Sequence, residues 1–202
     1  MTYIHKNGIS FQKVSFEHLD FLLELKRESW WGTHQSLLLN IDDQKKWFNN
    51  LPTSTLALVG SYKEELVGIA LFTDIDYISR TLNVSGGVLK KHRGAASIYG
   101  FQAGVDFAFE ILNMHRLNAE VLETNFASYK LQLLQGFKEE GRKRQAVFKS
   151  GKYYDSIIMG MLREDWEKHP RILSYNGVSN LNFNIDKAKK SIENINSLQL
   201  LQ

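Results

Sequence analysis

The 202-residue chain has no cysteine and only two prolines. The first absence removes disulfides, thiolate metal sites and a cysteine nucleophile, and it suits a cytoplasmic protein. Long apolar runs are missing too, so no membrane partner is expected. The opening "MTYIHKNGIS" holds no apolar stretch of the kind a signal peptide needs. Charge of one sign is scarce: 25 Lys and Arg against 22 Asp and Glu leave a formal +3. That balance admits an anionic ligand without calling for nucleic acid, and no nucleic-acid partner is expected. The basic segment "KEEGRKR" interleaves its cations with acids rather than forming a stripe. There is no internal repeat, and no metal is expected.

What remains is enough for one core. Hydrophobic residues make up 43% of the chain and aromatics 12%, as in an ordinary globular domain. "ISFQKVS" alternates as a half-buried strand does, and "HLDFLLELKRES" follows at helical spacing. "WWGTHQSLLLN" breaks both periods and reads as a loop. "DDQKKWFNNLP" reads as a short helix with acids at its start and Pro52 beyond its end. "STLALVGSY" and "LVGIALFTDI" flank a "KEE" turn as a hairpin. "TLNVSGGVLKK" is a strand whose Gly86-Gly87 pair marks a bulge or a close approach. A long helix is expected from Gly94 to Leu112, a strand at "RLNAEVLE", and a helix at "NFASYKLQLLQG" closed by Gly136. Two strands then turn at Ser-Gly-Lys within "AVFKSGKYYDSIIMGML". The order β-α-α-β-β-β-α-β-α-β-β gives an α+β fold around a mostly antiparallel sheet, in a domain spanning residues 1–166. Residues 167–202 are Asn- and Ser-rich and weakly periodic, and are expected to be a partly disordered or docked extension.

The stretch "KKHRGAASIYG", Lys90 to Gly100, runs from cations into small residues and then into a helical pattern. Free N–H groups at a helix start, with the helix dipole behind them, receive anions. A phosphate-bearing ligand is the expectation. The run Lys91-His92-Arg93-Gly94-Ala95-Ala96, then Asn125 opening a helix, then Gly136-Phe137 closing it, resembles the GNAT superfamily of acyl-CoA-dependent N-acyltransferases. The branches most similar acetylate ribosomal-protein N-termini and nucleotide-linked amino sugars, the latter also through the "G-x-Y-x-D" run ending at Asp155. The resemblance covers roughly residues 9 to 166.

The resemblance implies a twisted sheet flanked by helices with splayed central strands, and acetyl-CoA as co-substrate. The amides of Gly94, Ala95 and Ala96 would hold the pyrophosphate, with Lys91 and Arg93 screening it. Val88 and Leu89 would offer backbone groups to the pantetheine arm, and Asn125 would complete the cofactor set. An acceptor amine, on a protein N-terminus or a nucleotide-linked amino sugar, would attack the thioester directly in a ternary complex. A homodimer is carried as an expectation, and the alternative is a GNAT-fold module that binds acetyl-CoA without efficient catalysis. The chain departs from the pattern twice. Gln132 stands where many members carry the Tyr that protonates the thiolate, so Ser128 or Tyr129 is expected to serve. Asn83 stands where a Glu often acts as base, leaving His34, Asp76 or a water chain. The loop "ESWWGTHQ" supplies Glu28, Trp30, Trp31 and His34 as expected acceptor contacts, Trp faces for planar groups and Glu28 for an ammonium.

Overall fold

A computed structural model describes residues 2–5, 7–29, 32 and 40–170. Eight strands form one sheet in the order β1-β2-β3-β4-β5-β6-β8-β7. They are β1 (Thr2–Ile4), β2 (Ile9–Lys13), β3 (Leu56–Tyr62), β4 (Glu65–Asp76), β5 (Thr81–Val88), β6 (Arg116–Leu122), β7 (Lys138–Lys149) and β8 (Lys152–Leu162). The helices are α1 (Leu19–Ser29), α2 (Ile41–Asn49), α3 (Ala95–Asp106), α4 (Phe126–Leu134) and α5 (Arg163–Lys168). A π-helical turn, Phe107–Ile111, continues α3 to the end expected from the sequence. Every strand pair is antiparallel except β5 with β6, which α3 connects.

Alternation along the strands divides the side chains between two faces. Leu82, Val84, Leu117, Ala119, Val121, Ile157 and Met159 face α3 and α4 in the larger core. On the other face Ala57, Val59 and Leu71 pack against Leu19, Leu22 and Leu25 of α1. Gly136 ends α4 at φ +98, with Gly136 N–H donating to Leu133 O and Phe137 N–H to Gln132 O, both at 3.0 Å. This is the Schellman arrangement, which glycine permits. The Gly86-Gly87 pair marks a close approach of β4: a Cβ on Gly86 would meet the Ile69 carbonyl.

Three features differ from the sequence reading. β1 is an added edge strand, too short to show a period. β7 starts at Lys138, so the charged run "KEEGRKR" is strand and not a lead-in. It is the outer edge of the sheet, and charge on an edge discourages pairing with other chains. Three of its cations are paired: Lys138 with Asp165 at 2.6 Å, Arg142 with Glu139, Glu123 and Asp155, and Lys143 with Glu120. Finally, α5 runs two residues past Trp166, whose indole N–H donates to the buried Asp106 carboxylate at 2.7 Å. His5 shares that carboxylate at 3.0 Å.

Candidate active site

β5 and β6 pair only at Thr81 with Arg116, Leu82 with Leu117 and Asn83 with Asn118. Beyond that point both strands continue, to Val88 and Leu122, without pairing to each other. A wedge therefore opens in mid-sheet, edged by backbone groups that β-structure would otherwise consume. Leu89 N–H donates to Val67 O at 2.9 Å, on the β4 side, and Leu89 O accepts from His92 N–H. Leu89 is thus spent within the protein, contrary to its expected role. Strand alternation turns the groups of its neighbour Val88 toward the wedge instead.

At the mouth of the wedge a 3-10 turn, Lys90–His92, leads through Arg93 to Gly94 at φ 109 and ψ −121. Only glycine adopts that conformation readily. Among the described residues, a Cβ placed on Gly94 would meet nothing within 4 Å, and no side chain caps the start of α3. Ala96 is buried, Ala95 half-buried, and Lys91 and Arg93 are exposed. Open space, uncapped amides and exposed cations fit the pyrophosphate of a coenzyme A thioester.

The α4 side of the wedge is set by Asn125. Its Oδ1 accepts from Ser128 N–H at 3.3 Å as an N-cap, and its Nδ2 donates to Gly32 O at 2.9 Å. One side chain thereby ties the α1–α2 connection to α4, a junction that the sequence did not reveal because the two segments lie 93 residues apart. Ser128 follows on the side of α4 that Gln135 shares, and Gln135 reaches Ile98 O of α3. Tyr129 turns the other way. Its hydroxyl donates to Glu139 Oε2 at 2.8 Å on the outermost strand. Desolvation, then the Glu139 hydrogen bond, raises its pKa, so it is a weaker acid than free tyrosine. The structure does not bring that hydroxyl to the wedge.

On the α1 face, the first unpaired positions after Asn83 and Asn118 that point the same way are Ser85 and Glu120. Glu120 Oε2 accepts from Ser156 Oγ at 2.9 Å, and Lys143 bonds Oε1. The sequence reading missed this carboxylate. The available signal was its place in "RLNAEVLE", on the polar phase of a strand next to the Asn helix. Asp76 lies at the closed end of the β4–β5 pair, opposite Thr81. Hydrogen bonds from Ser79, then Ile78, hold its carboxyl below the usual range, as expected of a turn residue rather than a base. Glu28 accepts from Lys90 N–H at 2.6 Å and fastens α1 to the turn that leads to Gly94. Trp30, Trp31 and His34 lie outside the described residues. Among the described residues no cluster of His, Cys, Asp and Glu could hold a metal.

The domain family described as acetyltransferase (GNAT) matches residues 25–158. Among curated proteins, the chain is similar to the SPbeta prophage-derived uncharacterized N-acetyltransferase YokL of Bacillus subtilis (strain 168). The two are 39% identical over 61 residues, 30% of this chain and 34% of that protein. It is also similar to the spermidine N(1)-acetyltransferase of Vibrio cholerae, at 26% identity over 110 residues, 54% of this chain and 64% of that one. The matched stretches thus span less than two thirds of either relative. A solved spermidine N-acetyltransferase from Vibrio cholerae, in complex with CoA and spermine, superposes with TM-score 0.74 at 21% identity. That superposition covers 80% of this chain and 99% of the other and shows a shared fold.

Proposed function

The chain belongs to the acetyltransferase (GNAT) domain family, and from that premise we propose that it transfers acetyl from acetyl-CoA to a primary amine. The observation that carries the reading is the wedge past Asn83 and Asn118, opening beside the uncapped Gly94 turn. The amides of Gly94, Ala95 and Ala96 hold the pyrophosphate, with Lys91 and Arg93 close by. The arm threads the wedge, where the backbone of Val88 meets it and its N–H stabilises the carbonyl oxygen as charge develops. The amine arrives on the α1 face.

Glu120, on that face, accepts the proton that turns ammonium into amine, directly or through water. The C–N bond then forms as the C–S bond breaks, and the second ammonium proton goes to the thiolate. Ser128 is the residue we assign to the thiol, because its hydroxyl has no partner among the described residues while that of Tyr129 is engaged. The acceptor reading stays at the primary amine.

Thiol release from acetyl-CoA, measured with an N-terminal peptide, a nucleotide-linked amino sugar and spermidine as acceptors, tests it. Release dependent on an amine supports transfer. Tight acetyl-CoA binding without release on any amine would favour the binding module. No binding at all would overturn the reading. Within an active system, Glu120→Gln should lower kcat/KM about a hundredfold or more, with the loss shrinking as pH rises and the acceptor deprotonates unaided.

A further inference from the structure

From Ser156 to Leu162, β8 reads "SIIMGML", apolar but for its first residue. Ser156 is wholly buried at that position. A hydroxyl shut away from water needs a partner to offset its lost hydration. It has a carboxylate: Ser156 Oγ donates to Glu120 Oε2 at 2.9 Å. The strand register shows how the two meet. Ser156 stands opposite Leu122 of β6 on one side and Lys143 of β7 on the other. Alternation puts Glu120 and Leu122 on one face of β6. The Ser156 hydroxyl and the Lys143 ammonium therefore reach Glu120 from beside Leu122, farther from the ladder at Arg116 to Asn118 than Glu120 is itself. They draw the carboxylate along the strand, toward the end where the wedge is open. Their grips are unequal. The Lys143 side chain is 52% exposed, so water competes for its charge. The serine hydrogen bond is shielded from water and holds more firmly.

We propose that Ser156 is a positioning residue for the transfer reaction, its hydroxyl holding the Glu120 carboxylate charged and aimed on the α1 face. The inference rests on the reading of Glu120 as proton acceptor given above and adds the group that orients it. Ser156 gives up no proton. With Oε2 held, the proton of the incoming ammonium goes to Oε1, where the exposed Lys143 gives way at little cost. A hydrogen bond to the charged form of a carboxylate favours that form, so Ser156 keeps Glu120 ready as a base at lower pH.

The pH profile of kcat tests it, measured by thiol release with acetyl-CoA and the best of the three amines named above. Ser156→Ala should move the acid limb up by about half to one pH unit, the worth of one hydrogen bond. On that limb kcat should fall roughly three- to tenfold, and little on the plateau. The KM for acetyl-CoA should not change. Ser156→Thr, which keeps the hydroxyl, should keep the limb in place. Should alanine fail to fold, as its melting curve would show, Ser156→Cys is close in size and a poor donor, and carries the same test. A limb that stays put when the hydroxyl is removed overturns the proposal. So does an equal loss of kcat at every pH, which marks a structural role. Glu120→Gln, run alongside, should lack the limb. If it keeps the limb of the wild type, or if the wild type turns over no amine, the reading of Glu120 falls and takes this inference with it.

Discussion

At the scale of single residues, two positions are held by opposite logic. Gly94 occupies a backbone conformation that other residues avoid, and among the described residues nothing lies within 4 Å of where its Cβ would be. Gly94→Glu therefore adds strain, bulk and a negative charge where a pyrophosphate is proposed to lie. Acetyl-CoA affinity should drop at least about tenfold, or ~1.4 kcal/mol, as calorimetry would show. Gln44 is the reverse case. It lies on α2 wholly buried, and neither atom of its amide has a partner among the described residues. Gln44→Leu exchanges that amide for a group of similar size that needs none. Stability should rise by on the order of 1 kcal/mol, measured by the urea midpoint at constant m. A fall would mean that the amide is satisfied by something it encloses.

At the scale of elements, α5 closes the larger core. Trp166 stacks on Phe109 at 5.2 Å, and its N–H donates to Asp106, which His5 also bonds. Trp166→Phe keeps most of the ring and leaves a buried carboxylate one donor short, which should cost about 1–3 kcal/mol in denaturant titration. We propose that the acetyl-CoA-binding domain needs no more than the elements through α5, so a chain ending at Pro170 should still fold and bind acetyl-CoA. Elements with a clear period were legible in the sequence. Leu22 and Leu25 announce α1, Gly136-Phe137 announces the end of α4, and Gly94 announces the turn. The first half of β7 was not, because an edge strand with charge on both sides has no apolar phase to read. The candidate site was legible where local backbone chemistry marks it, in the positive φ of Gly94 and the N-cap of Asn125. Glu120 and the Asn125–Gly32 tie were not, since each depends on which strand or loop lies alongside. Tyr129 misled for the same reason: its partner Glu139 lies in the charged first half of β7, which the sequence reading did not assign to a strand.

At the scale of the whole molecule, stability should depend on pH at both ends. Hydrogen bonds from Ser79 to Asp76, from Arg116 to Glu140 and from Lys138 to Asp165 lower those carboxyl pKa values in the folded state. Their contribution is present above the ordinary carboxylate range and is lost as pH falls through the lowered values. Lys26 works in the other direction. Burial lowers its pKa from 10.5 to about 8, so between those values the unfolded chain holds the extra proton and stability rises with pH. Against Lys26→Met, the wild type should be at its greatest disadvantage below about pH 8. The gap should narrow as pH climbs to 10.5, as melting curves across that range would record. The three parallel rungs at residues 81–83 and 116–118 carry a further consequence. Among the described residues they are the sole ladder joining five strands on one side to three on the other, so the sheet has a seam. Amides along its unzipped edges, at Val88 and at those alternate positions of β6 between Ala119 and Leu122 that turn away from β8, should trade their protons with solvent far sooner than those in β3 or β8. A thioester lying in the seam would act as a missing strand. Hydrogen exchange should then slow on both lips together when acetyl-CoA is added, and most of all at Val88.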